Sequence, residues 1–200
     1  MGLTLTFASA RFIARYHPAL LYRPLALVLL TLAQVLVVIS FSRRLMTASQ
    51  SSVIVMFVAY SVLNGVTMSA IFLFFQIGVI YLAFGAAAVS FGIMALFGTL
   101  TKRDLSPLGR ILTGGLIALI ILTLLGLLLG LDRLQMLISV LGILVFLGLT
   151  AYDTQKLLQL HAGFPEAGGK LAIYGALQLY LDFINLFQFV LILTGSRRQR

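Results

Sequence analysis

Six long apolar runs constrain the fold of this chain more than any other feature. A helix needs about 20 apolar residues to cross the hydrocarbon core of a bilayer, and every run meets or approaches that length. The runs cover residues 24–41, 51–75, 77–99, 107–131, 134–158 and 170–194. Apolar residues make up 61% of the chain and charged residues only 10%, against about 25% charged in an average soluble domain. The sequence therefore predicts one all-α, polytopic membrane domain over residues 1–200, with six full spans.

The N-terminal segment, residues 1–16, is only moderately apolar and is too short to span a bilayer. It carries Arg11 and Arg15. We interpret it as a shortened first helix, which is either an interfacial helix or the end of a spanning one. Farther along, the second and third apolar runs almost fuse, so we expect a very tight turn between them near Gln76-Ile77-Gly78.

Charge and side-chain chemistry exclude several classes of function. The net charge of +9 does not indicate a nucleic-acid partner, because the 14 basic residues stand in small groups beside apolar runs, which is typical of topology signals. Cysteine is absent, so disulfides and thiolate metal sites are excluded. The two histidines, His17 and His161, have no neighbour at metal-ligand spacing. The lipid bilayer is the partner that the composition favours, although the basic residues leave the orientation undecided.

Two aspartates interrupt the apolar runs. Asp153 lies in GLTAYDTQKLL and Asp182 in LQLYLDFINLF, whereas the other three acidic residues lie in polar connections. A carboxylate at bilayer depth costs about 2.5–3.5 kcal/mol even on the insertion scale that gives the lowest values. A chain that accepts this cost twice is expected to use both groups.

The last apolar run carries a thin polar stripe. Tyr174, Gln178, Asp182 and Asn185 follow at helical spacing and share one face. The other faces carry leucine, isoleucine and phenylalanine. A helix that is apolar on all but one narrow face belongs in the middle of a bundle, with its stripe toward protein or water and away from lipid. We therefore expect the last helix to be central.

The two aspartates can reach a common level across the loop near Phe164. Their distances from that loop differ by five residues, which is about 7–8 Å of helix rise, and an asymmetric loop or a tilt can absorb this offset. Two carboxylates at hydrogen-bonding range in a low dielectric share one proton, so the pair is a candidate pH latch. The alternative is structural: each aspartate only holds helices together through a hydrogen bond to a tyrosine or asparagine.

Further polar groups could complete such a site. Arg43 or Arg44, at the end of the first run, could pair with the aspartates or serve only as a topology anchor. In the second run, Tyr60, Asn64 and Thr67 share one helical face and could line a polar path or make plain helix contacts.

Glycines within the runs have two interpretations. They could allow close helix–helix contact in lipid, or reflect only the higher frequency of glycine in membrane helices. Examples are Gly85, Gly92, Gly114, Gly115, Gly126 and Gly148.

Several segments resemble the Bax inhibitor-1 family, the transmembrane Bax inhibitor motif proteins. TAYDTQ and YGALQLYLDFINLF closely resemble its signature. FVAYSVLNGVTMS resembles its second-to-third helix region, and MGLTLTFASA resembles the end of its first helix. The resemblance covers essentially the whole chain. It implies a seven-helix bundle with the last helix central, in the plasma (inner) membrane of a bacterium.

The resemblance also implies a function. Bacterial members are similar to pH-sensitive calcium leak channels, in which two aspartates on the last two helices form a proton-sharing latch. Those positions match Asp153 and Asp182, and the family's latch arginine matches Arg43 or Arg44. Calcium would be the transported ion and would contact the two aspartates only transiently, with no resident cofactor. In one departure, Gln34 lies near a place where some relatives have a glutamate, and glutamine cannot titrate.

The sequence also permits two alternative classes of function. Some bacterial relatives resemble modulators of a membrane protease or of cell-death machinery, without transport of their own, and would need a membrane protein partner. The short, basic loops here favour the channel. A hydrolase could use the carboxyl pair as acid and base, but no metal cluster, nucleophile elbow or nearby histidine accompanies it. We therefore expect no enzymatic activity.

Overall fold

The computed structural model contains helices and turns but no strand in the part of the chain that it describes, which confirms the predicted all-α class. The described residues are 1–16, 33, 34, 37, 49–129, 132–164, 166 and 168–195. Most of the predicted span at 24–41 lies outside them. Arg43 and Arg44 lie outside them as well, so the pairing predicted for these arginines stays a prediction.

The described chain forms six helices of 15 or more residues and one helix of four residues. They are α1 (Gly2–Tyr16), α2 (Gln50–Met68), α3 (Ile71–Phe74), α4 (Ile77–Leu100), α5 (Ser106–Leu129), α6 (Asp132–Gly163) and α7 (Gly168–Thr194). Within these residues, five segments are long and apolar enough to cross a membrane. These are Gln50–Phe74, Ile77–Leu100, Ser106–Thr123, Leu134–Gly163 and Gly168–Thr194. Five of the six predicted runs thus coincide with candidate spans, and the chain is an integral membrane protein.

The helices fall into two compact units. The first contains α1, α2, α3 and the beginning of α7 as far as Leu177. The second contains α4 from Gly78 onward, α5, α6 and the remainder of α7 from Gln178. Both predicted latch aspartates belong to the second unit.

In the first unit, α1 packs along α2 through small residues. Gly2, Thr6 and Ala10, one turn apart on α1, are buried. Thr6 Oγ1 donates a hydrogen bond to the Ser61 carbonyl oxygen at 3.0 Å. Opposite them, a side chain at Gly65 would collide with the backbone of Thr6, so the two backbones can approach this closely only because Gly65 is glycine.

The second apolar run is not one continuous helix. α2 ends at Met68, and the chain makes a turn at Ser69 before α3 begins. Ser69 Oγ donates to the carbonyl oxygen of Val66, three residues earlier, and such local bonds compete with the helical ladder. The tight turn into α4 lies at Phe75 and Gln76, one residue earlier than the predicted position.

In the second unit, α6 is longer than the predicted run at 134–158. It spans 32 residues, Asp132–Gly163, so the predicted 161–169 connection shortens to a few residues before α7. Half of the α7 span is buried, against 39% or less of any other described span. Phe183 and Phe187 on α7 pack edge-to-face on Phe84 of α4, with ring centroids 5.2 and 5.9 Å apart. Within the second unit, α7 is therefore packed against α4, and the central position of the last helix in the bundle stays a prediction.

Candidate functional site

The two intramembrane aspartates meet in the second unit. Asp153 on α6 is 5% exposed and Asp182 on α7 is 3% exposed. Their carboxyl groups face each other within hydrogen-bonding range. The structure therefore brings together two groups that lie 29 positions apart in the sequence, on consecutive helices.

A glutamine from the polar stripe joins this pair. Gln178 Nε2 donates a hydrogen bond of 2.9 Å to Asp153 Oδ2. Gln178 and Asp182 are one turn apart on α7, so both side chains point toward α6. The site therefore consists of one amide donor and two carboxyl groups, held by two adjacent helices.

One oxygen of the pair has no donor. Asp182 Oδ2 is buried and has no hydrogen-bond partner among the residues that the structure describes. An ionised carboxylate can only accept hydrogen bonds, and leaving a buried acceptor unpaired costs about 1–3 kcal/mol. A single proton shared by the two carboxyl groups would halve the buried charge.

The charged surroundings of the pair are sparse. Across the described chain, neither carboxyl forms an ion pair. Lys156, which is three residues after Asp153 on α6, interacts with it electrostatically. Its side chain is exposed, and its ammonium lies over the Tyr152 ring at 5.5 Å from the centroid. Phe183, the residue after Asp182, contacts the Phe91 ring at a centroid distance of 5.6 Å.

The other residues of the predicted stripe behave differently. Asn185 Nδ2 donates to the carbonyl oxygen of Leu181 at 2.8 Å, within its own helix. Its amide is therefore engaged with the α7 backbone. Tyr174 is half-buried and belongs to the first unit. Of the four predicted stripe residues, only Gln178 and Asp182 take part in the carboxyl site.

The predicted polar face of α2 lies in the first unit. Tyr60 and Asn64 are buried and Thr67 is half-buried. Thr67 Oγ1 donates to the Asn64 carbonyl oxygen and accepts a bond of 2.8 Å from Gln34 Nε2. Gln34 is thus part of a small amide and hydroxyl cluster with α2. That these residues line a polar path remains a prediction.

One residue near the site was not indicated by the sequence pattern. Gln155 is almost fully buried on α6, two positions after Asp153. Its Oε1 accepts from the Leu105 backbone N–H at 2.9 Å, and its Nε2 donates to the Arg103 carbonyl oxygen at 2.9 Å. A weaker contact joins Nε2 to the Thr101 carbonyl oxygen at 3.4 Å. An amide inside an apolar run beside Asp153 was the available signal.

The carboxyl pair alone does not supply enough ligands to complete the coordination of a calcium ion. Within the described ranges, no cluster of three or more histidine, cysteine, aspartate or glutamate side chains could hold a metal ion. Calcium takes six to eight oxygen ligands, and Asp153 and Asp182 together offer at most about four. Calcium at this position would therefore keep water or backbone ligands, as a passing ion can.

Apolar spanning helices that bury a facing carboxyl pair define a polytopic membrane protein with an intramembrane acidic site. A family model described as inhibitor of apoptosis-promoting Bax1 matches residues 1–199. The chain therefore belongs to the Bax inhibitor-1 family, and this confirms the resemblance seen in its motifs.

Curated relatives agree with this assignment. The inner membrane protein YbhL of Escherichia coli (strain K12) is 40% identical over 173 residues, which cover 84% of this chain and 74% of the relative. An uncharacterized protein of Deinococcus radiodurans is 39% identical over 175 residues, covering 86% and 74%. An uncharacterized protein of Borreliella burgdorferi is 38% identical over 164 residues, covering 80% and 71%.

Proposed function

We propose that this protein is a pH-sensitive calcium leak channel of the bacterial inner membrane, gated by the Asp153–Asp182 pair. The observation that carries the proposal is the buried contact between the two carboxyl groups, with Asp182 Oδ2 lacking a donor. A group placed in this way changes its interactions when a proton arrives or leaves. The similarity to an inner membrane protein of Escherichia coli supports the location.

The electrostatics of the pair supply the gating energy. Two negative charges about 4 Å apart repel by about 4 kcal/mol at an effective dielectric constant of about 20, and a shared proton removes this repulsion. Because 1.4 kcal/mol is a tenfold change in an equilibrium constant, protonation can shift a two-state helix arrangement by about a thousandfold. Gaining or losing one proton therefore biases the position of α7 against α6.

The pair lies close to one end of the second unit. Asp153 is two residues, or about 3 Å of helix rise, from Gln155, which binds the backbone of the polar α4–α5 connection at Arg103 and Leu105. α6 then continues beyond this level as far as Gly163. Such a position suits a latch that closes one mouth of an ion path, with the carboxyl oxygens as the groups that a passing calcium ion meets.

Calcium flux into proteoliposomes tests the proposal. Purified protein is reconstituted, and flux is measured on both sides of neutral pH for the parent and for Asp153→Asn and Asp182→Asn. Either amide removes the proton shared by the pair, so we expect the pH response to flatten. Asp104→Asn is the matched control, because Asp104 is an exposed carboxylate outside the spans. The latch is wrong if both pair variants keep the parent response.

A rival function gives a different result in the same preparation. If the isolated protein carries no calcium and instead co-purifies with a stoichiometric membrane protein, then a non-transporting modulator of a protease or of stress machinery is the better account. The short connection between α4 and α5 offers little surface for docking, because it comprises only residues 101–105. This feature favours the channel.

A further inference from the structure

Three contacts fix the position of α6 over about one and a half turns around Asp153. The first is the set of hydrogen bonds from Gln155 to the α4–α5 connection. The second is a glycine contact, since a side chain at Gly98 of α4 would collide with the backbone of Ala151. The third is at Gly109 of α5, where an added Cβ would lie 2.6 Å from atoms of the Tyr152 ring. α4, α5 and the connection between them therefore pack closely against α6 at residues 151–155.

The side chains of Asp153 and Gln155 point in different directions. Consecutive helical residues are rotated by about 100°, so Asp153 and Gln155 project about 200° apart. Asp153 points toward α7, where Gln178 bonds it. Gln155 points toward the α4–α5 connection, on the same side as Ala151 one turn earlier. One face of α6 is thus fixed to α4 and α5, while the other presents the carboxyl group.

We propose that Gln155 is a positioning residue for the carboxyl pair: it fastens α6 to the α4–α5 connection and so holds Asp153 at a fixed level, which makes α7, with Asp182, the moving side of the latch. The part of this inference that concerns gating rests on the proposed function, whereas the part that concerns the position of Asp153 does not. Gln155 contacts no carboxyl group itself and acts through the α6 backbone.

The chemistry of the fastening supports a precise role. A buried amide that donates and accepts has a fixed direction, and leaving either group unpaired is unfavourable because it loses its water partners as well. By contrast, α7 meets α4 through the rings of Phe84 and Phe183 and is bonded to α6 through Gln178. Among the described residues, α6 thus has more directional contacts to α4 and the α4–α5 connection than α7 has to α4 and α6, so α7 is the helix that can rearrange at lower cost.

The charged and titratable groups around the Gln155 hydrogen bonds are mainly exposed residues. On the connection and on α5 they are Lys102, Arg103, Asp104 and Arg110, all exposed, and on α6 they are Tyr152 and Lys156 besides Asp153. α4 contributes only the exposed Tyr81, and the second-unit part of α7 contributes Tyr180 besides Asp182. Variants of Gln155 therefore should not change the charge of the site and report position alone.

The test compares Gln155→Met, which keeps the length of the side chain and removes its amide, with Gln159→Met, an exposed glutamine one turn later on the same helix. Hydrogen–deuterium exchange first checks the fastening. The Leu105 N–H donates to Gln155, so its exchange should accelerate at least about tenfold in Gln155→Met, a factor equal to about 1.4 kcal/mol. The control should exchange like the parent.

Infrared spectroscopy then checks the position of Asp153 without requiring transport. The carboxyl C=O band that disappears in Asp153→Asn should move in Gln155→Met and stay in place in Gln159→Met. In proteoliposomes, Gln155→Met should also move the pH midpoint of calcium flux. A faster Leu105 exchange with an unmoved carboxyl band would overturn the positioning role. Parent protein that carries no calcium, with a band that still moves, would instead refute the channel and leave the positioning role standing.

A milder variant guards against loss of the fold. Gln155→Asn keeps an amide but is shorter by one methylene, so it cannot reach both Arg103 and Leu105. We expect a smaller band shift than in Gln155→Met, at a melting temperature close to that of the parent. A band identical to that of the parent in this folded variant, together with fast exchange at Leu105, would also overturn the proposal.

Discussion

The close approach of α4 to α6 gives a sharp prediction at Gly98. A Cβ added there would lie 3.0 Å from both the Cα and the carbonyl carbon of Ala151, and nearer still to its oxygen. Ordinary contact begins at 3.4 Å, so the helices must separate by more than about 0.4 Å, because the carbonyl oxygen is the closest atom. The colliding atoms belong to the backbone, so no side-chain rotation can relieve the clash. Overpacking of this kind typically costs about 1–3 kcal/mol.

The same helix offers a matched control. Gly92 of α4 has no atom within 4 Å of the position that a Cβ would take. Alanine is favoured over glycine in a helix by about 1 kcal/mol. Gly92→Ala should therefore leave stability unchanged or raise it slightly, whereas Gly98→Ala should lower it by up to about 2 kcal/mol after the gain in helix propensity is subtracted.

Reversible unfolding in mixed micelles measures both variants against the parent. Because Gly98 contacts Ala151 two residues before Asp153, Gly98→Ala should also displace the carboxyl pair and alter the pH dependence of calcium flux. If Gly98→Ala is as stable as Gly92→Ala, then α4 and α6 do not pack at this distance, and the argument that α6 is the fixed side of the latch loses its basis.

Two further predictions concern Gln178 and Asp104. Gln178→Leu removes the donor to Asp153 Oδ2 and leaves a buried acceptor unpaired, so unfolding in micelles at neutral pH should show a loss of about 1–3 kcal/mol; a fully stable variant would contradict the hydrogen bond. Asp104 lies in the α4–α5 connection, and the backbone N–H of Ser106, then its hydroxyl and Arg110, hold the pKa of this exposed carboxyl below its ordinary 3.8. A lowered pKa contributes stability above pH 3.8 that is lost as the pH falls through the folded value. Asp104→Asn should therefore abolish a small loss of melting temperature on acidification, and an unchanged acid response would contradict the assignment.

The sequence predicted the helical class and the contact between the two aspartates because both follow from simple energetics. Run length determines which segments can span a bilayer, and burial costs decide where a carboxyl group can lie. The register of Gln178 with Asp182 is set by helical spacing alone. This is why the amide that joins the pair was among the predicted residues.

Packing at individual positions could not be predicted in the same way. Gly85, Gly92 and Gly114 have open space around them, whereas Gly65 and Gly98 make the close backbone approaches. All five stand in similar apolar sequence, and only the partner helix distinguishes them.

Side-chain hydrogen bonds show the same limit. Asn185 satisfies its amide on its own helix, and Gln155 reaches a connection about 50 positions away in sequence. The break at Ser69 also depends on a local choice, because a serine hydroxyl in a helix can point outward or bond the preceding turn. These choices depend on neighbours that the local sequence does not identify.

The sharing of one proton between Asp153 and Asp182 is the central claim, and infrared titration of the carboxyl C=O stretch tests it most directly. The protein is titrated in lipid, and the bands that vanish in Asp153→Asn or Asp182→Asn are followed with pH. A shared proton predicts two separate protonation steps that belong to the pair, and a single ordinary step in either variant. Simultaneous titration of both carboxyl groups at the pH of an exposed aspartate would contradict the account.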